Sequence, residues 1–153
     1  DSVTFDGGCY YYGKLSDEQF AWLEKELASV DPSMPVVLVS HIPILSAAVF
    51  FDIDDVKESE DWRVPRAWMH IDAHRIIDLF NKHPNIKLCL SGHLHLLDRV
   101  VYNNVTYICD GAVCGAWWEG AYRQTPAGYG IVDFYSDGSF EHQYVPTGWV
   151  PKP

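Results

Sequence analysis

Two short apolar runs set the frame for this chain. Val36-Val37-Leu38-Val39 and Ile86-Lys87-Leu88-Cys89-Leu90 are too short for full helices and too nearly continuous for half-exposed strands. Runs of this kind fit strands covered on both faces, which calls for layers above and below them. Ahead of the first run, Phe20, Leu23 and Leu27 recur at the three- and four-residue intervals of one helix face. Ser16 and Gln19 have the spacing of a capping box, so that helix is expected from Asp17 to about Ser29, with Asp31-Pro32 and Pro35 beyond its end. A second helix is expected over 67–82, with Ile71, Ile77 and Phe80 buried, before Pro84 and Asn85.

The remainder reads as strands. Residues 2–5 form an opening strand broken by Gly7-Gly8. Arg99-Val100-Val101-Tyr102, a turn at Asn103-Asn104, and Val105-Thr106-Tyr107-Ile108 make a hairpin. A second hairpin joins 130–135 to 140–145 through Asp137-Gly138. Helix-strand units followed by hairpins specify an α/β fold of layered mixed β-sheets flanked by helices. At 153 residues this is a single domain spanning 1–153. Periodicity dissolves between Pro43 and Pro65, which reads as a long insertion or lid, and its acidic stretch 52–61 is a solvated loop, a lid or an extra cation site.

Charge narrows the partners. A formal net charge of -10 argues against nucleic acid or an anionic membrane as the main partner, since both reward Lys and Arg. No apolar run is long enough to span a bilayer. The chain opens on Asp1 rather than Met, so its natural N-terminus is expected upstream and localisation is not read from it. Cys9, Cys89, Cys109 and Cys114 include no CxxC pair, and buried free thiols are expected rather than a disulfide or zinc cluster.

The histidines carry the functional signal. Each apolar run ends in Ser followed within two residues by His, as Ser40-His41 and as Ser91-Gly92-His93, with His95 two residues on. Ligands of open α/β sheets collect at the carboxyl ends of strands, and neutral imidazole suits zinc, iron and related divalent ions. On an extended segment His93 and His95 would face the same way. A single histidine at a strand end is more often merely hydrogen-bonded; the repetition is what raises a metal site. His70, His74 and His83 are expected at the surface, and His142 in a structural role.

The stretch Pro35-Val36-Val37-Leu38-Val39-Ser40-His41-Ile42-Pro43, followed about fifty residues later by Ser91-Gly92-His93-Leu94-His95, resembles the last two motifs of the calcineurin-like metallophosphoesterases. The segment from Gly13-Lys14-Leu15-Ser16 to Trp22-Leu23 is similar to the family's approach to the first of them. The resemblance implies a partial αββα sandwich. It also implies hydrolysis of phosphate mono- or diesters at a dinuclear centre of Zn, Fe, Mn, Ni or Co. By motif position His41 and His93 are implied ligands of one metal and His95 of the other. The family's upstream motifs (an Asp-x-His, a bridging Asp in Gly-Asp, and an Asn-His-Asp or Asn-His-Glu) have no counterpart before Gly13. The chain is therefore expected to be the C-terminal part of a catalytic domain, with partial or no metal occupancy, no catalytic residue of its own and little activity alone.

Two rival readings come from the same residues. Gly115-Ala116-Trp117-Trp118-Glu119-Gly120 sets aromatics between glycines. Trp117 and Trp118 either pack on the sheet edge or form a surface that binds substrate, and the latter also suits a non-catalytic binding module. Alternatively, His41, His93 and His95 together could hold a single zinc with one open position.

Overall fold

The computed structural model describes residues 3–5, 7, 10–51 and 62–152. Cys9 and the acidic stretch 52–61 lie outside them.

A four-stranded mixed sheet forms the centre, with strand order β3-β4-β6-β5. Strands β3 (Val36–Val39), β4 (Ile86–Ser91) and β6 (Val105–Cys109) run parallel, and β5 (Asp98–Tyr102) returns antiparallel to β6. The turn joining β5 to β6 has both Asn103 and Asn104 at positive φ, 49° and 64°, the backbone that a two-residue hairpin of this twist requires. A bulge opposite Val36 and Val37 slips one residue between Ile86 and Leu88. It lets Ile86 and Cys89 face one layer while Leu88 faces the other.

Two helices cover the first face. Helix α1 (Asp17–Ser29) starts with both bonds of the capping box in place: Gln19 N donates to Ser16 Oγ at 3.1 Å and Ser16 N donates to Gln19 Oε1 at 2.8 Å. Its Phe20 and Leu27 join Ile76, Leu79 and Phe80 of α2 (Ala73–Phe80) against Ile86, Cys89, Val105 and Tyr107 of the sheet. Residues of the opposite face, Leu88, Thr106 and Ile108, are buried as well. From that face Asp110, just past β6, meets His142 of a second sheet, the hairpin β7 (Gly128–Phe134) and β8 (Phe140–Pro146), at 2.9 Å. A small sheet, β1 (Val3–Phe5) with β2 (Tyr11–Gly13), completes an α/β fold of layered mixed sheets. No helix among the described residues is long and apolar enough to cross a membrane.

Helix α2 is shorter than the periodicity suggested, and the reason is local. The amides of His70 and Ile71 donate to the carbonyls of Pro43 and Gly13, both at 2.9 Å, so this backbone is already bonded elsewhere and the helix begins only at Ala73. Ile71, expected in the core, is 49% exposed. His70, expected at the surface, is 3% exposed. Cys89 and Cys109 are free and buried as expected, and burial pushes both up to about 12, which leaves them inert; Cys114 is free but only half-buried.

Candidate metal centre

Parallel β3 and β4 are neighbours, so the segments leaving their carboxyl ends emerge side by side. His41 follows β3 and His93 follows β4, and Gly92 N donates to the His41 carbonyl at 3.2 Å, tying the two exits together. The rings meet: His93 Nδ1 lies 3.0 Å from His41 Nε2. His93 Nε2 lies 2.8 Å from the Ala67 carbonyl, an acceptor only, so this nitrogen carries the proton and Nδ1 presents its lone pair towards His41. Burial, then the His41 charge, holds His93 below its ordinary pKa, against the upward pull of the Ala67 carbonyl. The Tyr11 and His93 rings meet in a T-shaped contact, centroids 5.6 Å apart.

His95 does not face the same way as His93. Both residues sit in left-handed backbone, φ 72° and 58°, so the segment is turned rather than extended and strand alternation does not apply. The His95 ring stacks on Trp117, centroids 4.6 Å apart, with Tyr122 edge-on at 6.2 Å. Its Nδ1 lies 2.6 Å from the Gly115 carbonyl, which fixes the proton there and leaves Nε2 as the lone-pair atom. One loop therefore supplies both the hydrogen-bond acceptor and the stacking partner of His95.

Among the described residues no group of three His, Cys, Asp or Glu side chains converges on one point. His41 and His93 approach each other while His95 turns to Trp117, so the structure does not bring the three together. The donor chemistry nonetheless suits a cation at the pair. Two imidazole nitrogens, His93 Nδ1 and His41 Nε2, face each other, and these are the atoms that would hold a divalent ion.

Trp117 and Trp118 do not pack on the sheet edge. They are 64% and 57% exposed, both at positive φ (49° and 73°). Trp118 meets Trp149 edge-on at 5.3 Å. Left-handed backbone is costly for such residues and gathers where a surrounding structure holds it in place. His93, His95, Trp117 and Trp118 share it here. Sequence reading missed the Ala67 and Gly115 carbonyls, which no side chain announces, and it missed the buried His70. Its Nδ1 lies 3.1 Å from Asp72 Oδ1, while Asp72 Oδ2 accepts from Leu15 N at 3.0 Å. The two-residue spacing of His70 and Asp72 ahead of a helix was the available signal.

In its motifs the chain resembles the calcineurin-like metallophosphoesterases. No family model matches it. Its curated relatives are phosphodiesterases. It is 25% identical over 134 residues to the 3',5'-cyclic-nucleotide phosphodiesterase alr5338 of Nostoc sp., covering 84% of this chain and 45% of that protein. It is 23% identical over 94 residues to the probable glycerophosphodiester phosphodiesterase GpdQ of Arcobacter nitrofigilis, covering 61% of this chain and 30% of that protein. The chain thus spans less than half the length of these relatives. A dimetal phosphatase from Danio rerio overlaps 65% of this chain and 28% of its own at TM-score 0.49 and 18% identity, a likeness too weak to argue from.

Proposed function

We propose that the protein hydrolyses phosphate mono- or diesters at a two-metal site to which this chain contributes His41, His93 and His95. The observation that carries the reading is the approach of His41 Nε2 and His93 Nδ1 to 3.0 Å at the ends of adjacent parallel strands. The carbonyls of Ala67 and Gly115 add to it, because each holds a ring proton on the nitrogen turned away from the site. Bound cations would supply the positive charge that a protein of net charge -10 otherwise lacks for a phosphate ester, and would activate water near neutral pH.

In this reading the chain supplies only part of the site. Further ligands would come from outside the match, which covers 45% of the cyclic-nucleotide phosphodiesterase. Trp117 stands over His95, where its exposed face would meet the organic part of a bound ester. The test is metal content by elemental mass spectrometry together with hydrolysis of p-nitrophenyl phosphate in added Mn²⁺. Little metal and no turnover from this chain, with both restored in the full-length protein, is the expected result. Tight stoichiometric metal and full turnover from this chain alone would overturn the partial-site reading.

A further inference from the structure

The loop that holds His95 is braced by a second segment. Within 114–120 the backbone bonds are local: Trp118 N donates to the Cys114 carbonyl at 2.8 Å, Glu119 N to that of Ala116 at 2.8 Å, and Ala116 N to that of Gly120 at 2.9 Å. Gly115 has φ 53°, and a side chain there would strike the Gly120 carbonyl oxygen. These contacts give the loop its shape, but bonds inside a loop do not fix where it stands on the protein. At its foot, Gly128 N donates to the Ala112 carbonyl at 3.1 Å. Its far end, Trp118 to Gly120, rests on the residues that follow β8.

That segment is itself anchored. Thr147 N and Thr147 Oγ1 both donate to the Ala127 carbonyl, at 2.9 and 3.2 Å, and Trp149 N donates to Thr147 Oγ1 at 3.3 Å. Gly148 turns the chain between them in left-handed backbone, φ 72°. The Trp149 ring then meets Trp118 in a T-shaped contact, centroids 5.3 Å apart. Pro151 stands beside Gly120, where an added Cβ would lie 3.8 Å from Pro151 Cδ. Trp117 and Trp118 both hold left-handed backbone, which persists only where neighbours over-determine it. His95 and Tyr122 do this for Trp117, and Trp149 does it for Trp118.

We infer that Trp149 is a positioning residue for His95, acting through Trp118. With Pro151 it holds the loop so that the Gly115 carbonyl stays on His95 Nδ1 and the Trp117 ring stays on the imidazole face. In this arrangement Trp118 serves the support of the site rather than the substrate. The His95 tautomer follows from geometry alone, and its consequence for a metal rests on the two-metal reading above.

Nitrogen-15 NMR of the histidine rings in the metal-free full-length protein, in mildly alkaline buffer, tests this, with metal affinity titrated on the same samples. His95→Ala identifies the His95 signal. His70→Phe identifies that of His70, whose Nδ1 proton Asp72 holds elsewhere in the fold. The parent protein should show His95 as the Nδ1–H tautomer. Trp149→Ala should leave His95 a mixture of both tautomers and lower metal affinity ~10-fold, the lower end of what loss of an outer partner costs, with His70 unchanged. Trp149→Phe, which keeps a ring against Trp118, should restore both. His95 still wholly Nδ1–H in Trp149→Ala overturns the inference, whether or not metal is lost. A His70 signal that changes alongside overturns it too, because the effect would then be general loosening. A mixed His95 tautomer in Trp149→Ala of a protein that binds no metal keeps the brace and removes the metal reading, so the two fail separately.

Discussion

At His70 the imidazole faces a carboxylate; at His93 it faces another imidazole. Burial lowers the pKa of both rings, and there the likeness ends. Asp72 opposes the fall at His70 by hydrogen bond and charge, whereas His41 deepens it at His93. The sign of the neighbour separates a histidine kept in place from one kept available. Asp72 holds the His70 proton on Nδ1 and anchors Leu15 N as well, so that pair ties the start of α1 to the start of α2. Among the described residues no carboxylate bonds the His41–His93 pair, and a cation held by the two facing nitrogens would displace to solvent any proton held between them.

The comparison breaks most visibly if each pair is broken in turn. In the full-length protein His93→Ala should reduce metal affinity by more than the ~100-fold that loss of an outer partner costs, and activity with it, as read by elemental mass spectrometry and p-nitrophenyl phosphate turnover. His93→Ala with full metal and full turnover would sink the assignment. Asp72→Ala belongs to the other region. It leaves Leu15 N and the His70 Nδ1 proton without partners in a buried place and should lower stability by about 1–3 kcal/mol, measured by urea unfolding. Stability unchanged in Asp72→Ala would mean that the pair holds nothing together.

Acid sharpens the contrast further. His70 has a folded pKa below its ordinary 6.5. Below that ordinary value the unfolded chain takes up a proton that the folded ring resists. The stability contributed by a neutral His70 is therefore fully present above pH 6.5 and is lost as pH falls from 6.5 through the folded value, with a slope of at most ~1.4 kcal/mol per pH unit. His70→Phe should flatten that part of the pH–stability curve. An identical slope in His70→Phe would assign the acid loss to another group.

Sequence and structure agree where local rules suffice. Ser16 and Gln19 announce α1, Asn103-Asn104 announces a hairpin, and the apolar runs announce β3 and β4, because caps, turns and strand alternation are short-range. The burial expected of both runs holds for most of the β4 run but not for β3, whose Val36, Val37 and Leu38 are half-buried and whose Val39 is 78% exposed. The expectation of histidines at strand ends was legible for the same reason. What was not legible depends on contacts between distant segments. Residues 67–72 have helical texture, yet Gly13 and Pro43 occupy the backbone of Ile71 and His70, so the helix starts late and His70 turns inward. His93 and His95 have a spacing that suggests one direction, yet left-handed backbone sends one ring to His41 and the other to Trp117.

The smallest effect concerns Trp117, and it separates two roles that the stacking geometry combines. Trp117 lies 4.6 Å from the His95 ring and exposes its outer face. If that face contacts the organic part of the ester, Trp117→Ala in the full-length protein should raise KM by ~2- to 10-fold, the equivalent of a ring contact worth about 0.5–1.5 kcal/mol, with kcat and metal content unchanged. If Trp117 instead serves to hold His95, the same substitution should lower metal content and kcat together while KM stays put. Trp117→Phe helps to separate these outcomes, since a smaller ring can still stack on His95 but offers less outer surface to a substrate. A KM raised in both variants assigns Trp117 to the substrate. A metal loss in Trp117→Ala that Trp117→Phe repairs assigns it to the proposed metal centre, where the Gly115 carbonyl already fixes the other side of the His95 ring.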